Sequence, residues 1–252
     1  PGIALKAEAL GFAVSVELPL VVINSQRAGP STGMPTKTEQ SDLLQAVYGR
    51  NGDAPMPVIA ARSPGDAFDV AIEACRIATQ YMTPVMLLTD GYIANAAEPW
   101  KVPDPSSFEP FPAKFLTEPR GEVLEPYKRN ENGSRPWIKP GTPHMMHRIG
   151  GIEKDATTGN ISYDPANHDL MVRTRQAKVD RVADSLPPLE VDDPSGAAKV
   201  LVIGWGSTYG PIGAGCRRVR RAGHRVAQVH LRHLNPFPHD LGDILRRYDR
   251  VL

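Results

Sequence analysis

Cysteine is nearly absent: Cys75 and Cys216 are the only two in 252 residues. They stand far apart, each inside a stretch that reads as helix, so this chain has no Cys cluster to hold zinc or an iron–sulfur centre. A lone disulfide and two free thiols are both open readings; two thiols in a reducing, cytoplasmic setting is the preferred one. A long apolar run is missing as well. The best candidate, 11–23, contains Glu17 and Pro19 and is too short to cross a bilayer, so no membrane span is expected. Neither sign of charge dominates. Lys and Arg number 29, Asp and Glu 28, and a net charge of +1 gives no pull toward nucleic acid or a membrane surface. The opening PGIALKAEAL lacks the basic start and small-residue cleavage site of a secretion signal. It begins without Met and runs at once into a helical pattern, and RRYDRVL at the other end reads as the start of a strand. The expectation is an internal piece of a longer polypeptide.

Apolar residues make up 41% of the chain, enough for a sizeable core in one or two domains. Residues 3–16 space Ile3, Leu5, Ala9, Leu10, Phe12 and Ala13 compatibly with a helix. Apolar runs at 18–25, 57–61 and 84–89 read as strands, and the first of them, Leu18 to Ile23, as a buried one. A short helix is expected over 41–48. A longer one follows Ser63, a fair N-cap, and Pro64, suited to the first helical position, with Phe68, Ile72, Cys75 and either Ala78 or Tyr81 along its buried face. Strands that are short, apolar and not alternating, separated by helices, predict an α/β fold with a parallel sheet.

Residues 99–144 differ. Ten of these 46 positions are Pro, against an ordinary frequency of about 5%. The stretch reads as an extended strap anchored by Trp100, Phe108, Phe111, Phe115, Tyr127 and Trp137. A hairpin signal follows, with its turn at Thr158, Gly159 and Asn160. Then comes a polar helix, about 165–185, carrying Arg173, Arg175, Lys178 and Arg181. A second α/β unit starts at Lys199: strand KVLVIGW, a Gly turn, helix PIGAGCRRVRRAG closed by Gly223, strand HRVAQVHL and helix LGDILRRY. The domain expectation is 1–98, a 99–144 strap and 145–252.

Four stretches invite a functional reading. GWGSTYGPIG, 204–213, follows a strand, but its glycines are spaced G-x-G-x-x-x-G. His230 and Arg232 stand where a ribose-binding acid belongs, so a glycine turn without cofactor is preferred. HLRHLNPFPH, 230–239, spaces His230 and His233 like metal ligands, yet offers no carboxylate or thiol between them, and a metal site is not expected. CRRVRRAGHR, 216–225, reads as a solvated basic face, with docking of an acidic partner as the competing use. The fourth is QRAGPSTGMPTKTEQSDL, 26–43. Twelve of its eighteen residues are Ser, Thr, Gly, Pro, Gln or Ala. It leaves the C-terminal end of a strand, where open α/β folds hold ligands. Arg27 supplies a fork for a carboxylate or phosphate, and hydroxyls and backbone N–H groups around it complete a candidate anion site, the alternative being a plain polar loop.

Taken whole, RAGPSTGMPTKTEQSDL resembles the signature RGGPSTGLPTKTEQADL of the α subunit of 2-oxoacid:ferredoxin oxidoreductases, of the 2-oxoglutarate synthase type. PVIAARSPGDAFDVAIEACRIATQYMTPVMLLTDGYIANAAEPWKVPD, HRIGGIEKDATTGNISYDPANHDLMVRTRQAKVD, VLVIGWGSTYGPI and VAQVHLRHLNPFP are similar to the same subunit. The resemblance covers essentially the whole chain. It implies a pyrimidine-binding domain of the thiamine-diphosphate type over 1–98, truncated at its start, and a transketolase C-terminal-like domain over 145–252, truncated at its end. It implies oxidative decarboxylation of a 2-oxoacid onto coenzyme A, with electrons passed to ferredoxin and thiamine diphosphate as electron sink. Thiamine diphosphate with Mg²⁺ and a [4Fe–4S] cluster are implied to be held mainly by a β subunit.

By the same resemblance Arg27 binds the substrate carboxylate and Thr36 lines its pocket, while Ser31 and Thr32 are weaker substrate-binding candidates that shape the loop. Lys37 and Glu39 stand open between pairing and facing the partner subunit. Ala28 replaces the signature's second Gly, a small change. The family's YPITP segment and its activating glutamate lie upstream of Pro1, so no catalytic residue is assigned in this chain and the piece alone is expected to be inactive. The substrate is expected to be 2-oxoglutarate, with pyruvate or a branched-chain oxoacid behind it. The reading of another class is a non-catalytic nucleotide-binding or subunit-interaction module built on the Gly204 turn.

Overall fold

The apolar spacing over 3–16 becomes a 3₁₀ turn, Ala4–Lys6, and helix α1, Ala7–Ser15, in a computed structural model that describes residues 2–119 and 121–252. Pro1, at the head of the first expected domain, and Arg120, within the strap, lie outside the described residues. The chain continues through β1 (Leu20–Gln26), α2 (Leu43–Tyr48), β2 (Val58–Ala60), α3 (Asp66–Tyr81), β3 (Pro84–Asp90) and α4 (Gly91–Asn95). The Pro-rich stretch forms little regular structure beyond β4 (Phe115–Leu116) and β5 (Trp137–Ile138). After α5 (Pro165–Asp180) come β6 (Val191–Asp192), β7 (Val200–Trp205), α6 (Tyr209–Arg221), β8 (Val226–Leu231), β9 (His233–Asn235), α7 (Leu241–Arg246) and β10 (Arg250–Val251).

The strands build two four-stranded sheets, in the orders β1-β3-β2-β9 and β10-β7-β8-β6. β1, β3 and β2 run parallel, as do β10, β7 and β8, so the expected α/β class is what the chain adopts. β9 follows β8 in sequence but pairs antiparallel with β2, and so ties the second unit to the first unit's sheet. β2 is buried along its whole length and β3 is nearly so, as non-alternating apolar strands between helix layers should be.

The first unit differs from the sequence expectation in two places. β1 is not a buried strand. It sits at the sheet edge with only β3 beside it, and Ile23 is 63% exposed. A short apolar run does not distinguish an edge from a centre. In α3 the buried face carries Val70, Ala74, Ile77, Ala78 and Tyr81, not Phe68 and Cys75. The helix is apolar on two sides because Phe68 serves a second surface. Its ring packs on Trp100 at 5.2 Å and on Phe108 at 5.7 Å, which seats the start of the strap. The helix begins at Asp66 with Gly65 as its N-cap, so Ser63 and Pro64 lie just before it, and the Ser63 hydroxyl accepts from the Asp66 N–H at 3.3 Å.

Farther along the strap Phe115 meets Trp137 edge-on, and Tyr127 is fully buried. The hairpin signal yields a tight turn closed by a single antiparallel bridge between Lys154 and Ile161. α5 is less solvated than its polarity suggests. Arg175, which donates to Asp53 at 2.6 Å and reaches Glu153, is buried, and so is Lys178. Cys75 and Cys216 are both free thiols. Among the described residues no helix is long and apolar enough to cross a membrane.

Candidate active site

The loop that leaves β1 is held at both ends by one buried side chain. Gln26 donates through Nε2 to Thr89 O at 3.1 Å on β3 and accepts from Asp42 N–H at 3.0 Å where α2 begins. Asn24 adds a bond to Asp42 Oδ2 at 3.0 Å. Between these points the loop folds on itself. The N–H groups of Ala28, Met34 and Lys37 bond to Lys37 O, Ala28 O and Met34 O. Those three donors are therefore used by the loop and are not available to a ligand, contrary to the composition-based expectation.

Gly33 makes this closure feasible. Its φ is +58°, and a Cβ there would lie 1.7 Å from Ala28 O. Gly33→Ala is expected to cost about 2 kcal/mol, because it combines left-handed strain with a backbone collision. A calorimetric unfolding scan against the wild type checks this, and an unchanged midpoint would refute the loop's dependence on Gly33.

Arg27 and Thr36 line the same cavity, of about 550 Å³, at the carboxyl end of β1. Gly91 and Asn95 of α4, Asn24, Asp42 and Lys6 share its wall. α4 is fixed there by Asp90, whose Oδ1 accepts from the N–H groups of Tyr92 and Ile93 at 2.9 and 3.0 Å. Ser31 and Thr32 are exposed at the loop tip and do not line the cavity. Lys37 and Glu39 are both exposed, and no ion pair joins them among the described residues. Lys6 and Asn95 escaped the sequence reading. They come from elements distant in sequence, and helical spacing shows which face is buried, not what an end of the helix overlooks.

The glycine turn after β7 holds part of this loop. Gly206, at φ +61°, leaves room for the Gln40 amide, which a Cβ would approach to 2.4 Å. Gln40 Nε2 donates to Trp205 O at 3.2 Å. Ser207 donates to Asp90 Oδ2, so the second unit grips both the loop and the start of α4. The two histidines that resembled metal ligands face different neighbours. His233 Nε2 lies 3.3 Å from Glu73 Oε1, while His230 packs edge-on against Tyr209. Burial, with Arg62 nearby, pushes His230 down to about 4, so it is neutral at pH 7. In the basic run, Arg220 folds back onto Asp192 and Val226 O.

Fold and cavity together define an α/β unit with Arg27 and Thr36 on one cavity at the carboxyl end of a parallel strand, braced by a second α/β unit. The chain belongs to the family described as pyruvate flavodoxin/ferredoxin oxidoreductase, thiamine diP-binding, which matches residues 1–162. It is 59% identical, over its full length, to the 2-oxoglutarate oxidoreductase subunit KorA of Mycobacterium tuberculosis, of which it covers 38%. It is 31% identical over 99% of its length to the 2-oxoglutarate synthase subunit KorA of Archaeoglobus fulgidus, covering 63% of that protein. Among solved structures it resembles a 2-oxoglutarate:ferredoxin oxidoreductase from Magnetococcus marinus, determined with 2-oxoglutarate, coenzyme A and succinyl-CoA bound. That match has a TM-score of 0.89 and 35% identity, and covers all of this chain and 44% of the other. The chain thus spans less than two thirds of the relatives it matches.

Proposed function

We propose that the chain is the substrate-gripping portion of the α subunit of a 2-oxoglutarate:ferredoxin oxidoreductase. The reaction converts 2-oxoglutarate and coenzyme A to succinyl-CoA and CO₂, releases a proton and passes two electrons to ferredoxin. One observation carries this reading: Arg27 and Thr36, nine positions apart on a self-closed loop, open onto one cavity at a strand's carboxyl end. The family's thiamine-diphosphate-binding description and the relatives' names support it.

The donor set fits a carboxylate-bearing substrate. Guanidinium, ammonium, Thr hydroxyl and the amides of Asn24 and Asn95 surround the cavity, against a single carboxylate, Asp42. Arg27 takes the oxoacid's carboxylate in a two-pronged grip, which fixes the direction of its 2-carbon. Thr36 supplies a neutral donor beside it. Bound thiamine diphosphate would supply the electron sink for loss of CO₂. No group of three or more His, Cys, Asp or Glu side chains among the described residues is placed to hold a metal ion. On the family resemblance, the diphosphate, its Mg²⁺ and a [4Fe–4S] cluster are assigned mainly to a β subunit, with the loop tip (Ser31, Thr32, Lys37 and Glu39) facing that partner. The domain division stays as proposed, 1–98 and 145–252 about the strap. The two free thiols suit a reducing cytoplasm.

The test is anaerobic assay of the full-length polypeptide assembled with its partner subunit. Reduction of ferredoxin is expected to require both coenzyme A and 2-oxoglutarate, with pyruvate and branched-chain oxoacids slower. Absence of turnover with every 2-oxoacid would overturn the reading.

A further inference from the structure

Grip on one carboxylate does not explain choice of a dicarboxylic acid. A second carboxylate entering a protein cavity loses water, and without a partner that loss opposes binding. We infer that Lys6 is the specificity-determining cation for the distal carboxylate of 2-oxoglutarate. This rests on the 2-oxoacid reading above and adds to it a basis for selecting a dicarboxylate.

Lys6 closes the 3₁₀ turn before α1 and lines the same cavity as Arg27. Among the described residues the two are the only cationic ones on that wall. Neither is paired with a carboxylate among the described residues. Two other arginines near a strand's carboxyl end, Arg62 of the first unit and Arg232 of the second, both reach Asp66 instead. The cavity's one acid, Asp42, already accepts from Asn24. At about 550 Å³ the space is that of an ordinary small-molecule site, and both cations, Arg27 half-buried and Lys6 exposed, stand on its wall. The chemistry divides between them. Arg27 forms the planar fork that orients the reacting end, and Lys6 acts as a point charge on a flexible stem, suited to a group that needs neutralising but not aiming. A monocarboxylic oxoacid leaves the Lys6 ammonium to water and gains nothing from it.

The experiment compares Lys6→Met and Lys6→Arg with wild type in the full-length, assembled oxidoreductase. Rates are measured with 2-oxoglutarate and with 2-oxobutyrate, and binding of glutarate, an inert dicarboxylate, by titration calorimetry. Lys6→Met is expected to lower the ratio of kcat/KM for 2-oxoglutarate to that for 2-oxobutyrate about 30-fold, chiefly through KM, and to weaken glutarate similarly. Lys6→Arg should retain most of the selectivity. Equal loss on both substrates, or no change on either, would overturn the Lys6 assignment and leave the 2-oxoacid reading standing. A wild-type enzyme that turns over no 2-oxoacid, or only monocarboxylic ones, would overturn both.

Discussion

Replacing Arg27 by Ala in the full-length, assembled oxidoreductase is expected to lower kcat/KM for 2-oxoglutarate about 10³-fold. In the proposed grip the fork would make two charge-assisted hydrogen bonds to one carboxylate. At about 2 kcal/mol each they amount to roughly 4 kcal/mol, which is three decades in rate. The fold should tolerate the change. Arg27 is half-buried and joins no ion pair among the described residues, so its removal strands no partner. The unfolding midpoint should therefore move by no more than a degree or so. Arg27→Lys separates charge from shape: it keeps the cation but loses the planar fork, and should recover about tenfold. Near-normal kinetics in Arg27→Ala would sink the carboxylate assignment. A loss of activity that tracks a loss of folded protein would sink it too, since the effect would then be structural.

Arg27 was legible because every cue to its position is local. An apolar run marks the strand, and a Pro- and Gly-rich loop marks where it ends. The residue at that junction must lie at the sheet's carboxyl edge once the strands are parallel. The same locality explains what was missed. α3 is apolar on two sides, so a 3.6-residue period allows two buried faces, and only the strap's Trp100 and Phe108 show which side Phe68 serves. β1 has the composition of a central strand but an edge position, which is a property of sheet order. Nothing near GWGS indicated that Gln40, far back in the chain, would occupy the turn. Lys6 reaches the cavity from the 3₁₀ turn before α1, a tertiary juxtaposition that no spacing encodes. The polar pattern of α5 located the helix but not its burial, for a related reason: Arg175 and Lys178 are buried because their acids, Asp53 and Glu17, come from elsewhere in the chain.

That last pairing should dominate stability. Glu17 is 2% exposed and follows α1. Arg129 of the strap forks onto it, with one of its bonds measuring 2.9 Å. Lys178 of α5 reaches its Oε2 at 3.2 Å and also donates to Met82 O at 3.0 Å, where α3 ends. One carboxylate thus joins four segments. Glu17→Gln keeps the shape and removes the charge, leaving two cations buried without an anion. The expected cost is about 3–5 kcal/mol in the unfolding free energy of the full chain. Adding Lys178→Met should return part of the loss, since one stranded cation goes with it. The pH dependence gives an independent check. Burial raises the Glu17 carboxyl, but Lys178, Arg129 and Arg135 outweigh it and hold the group at about 2, below its ordinary 4.5. A depressed carboxyl stabilises the fold fully above its unfolded value and loses that contribution as pH falls through its folded one. Wild-type stability should therefore decline between about pH 4.5 and 2 by an amount on the order of 3 kcal/mol attributable to this group. Glu17→Gln should lack that component of the decline. Denaturant titrations across this range measure both quantities. A variant within about 1 kcal/mol of wild type at pH 7, with the same acid slope, would show that the strap is held by its aromatic contacts and not by this buried charge.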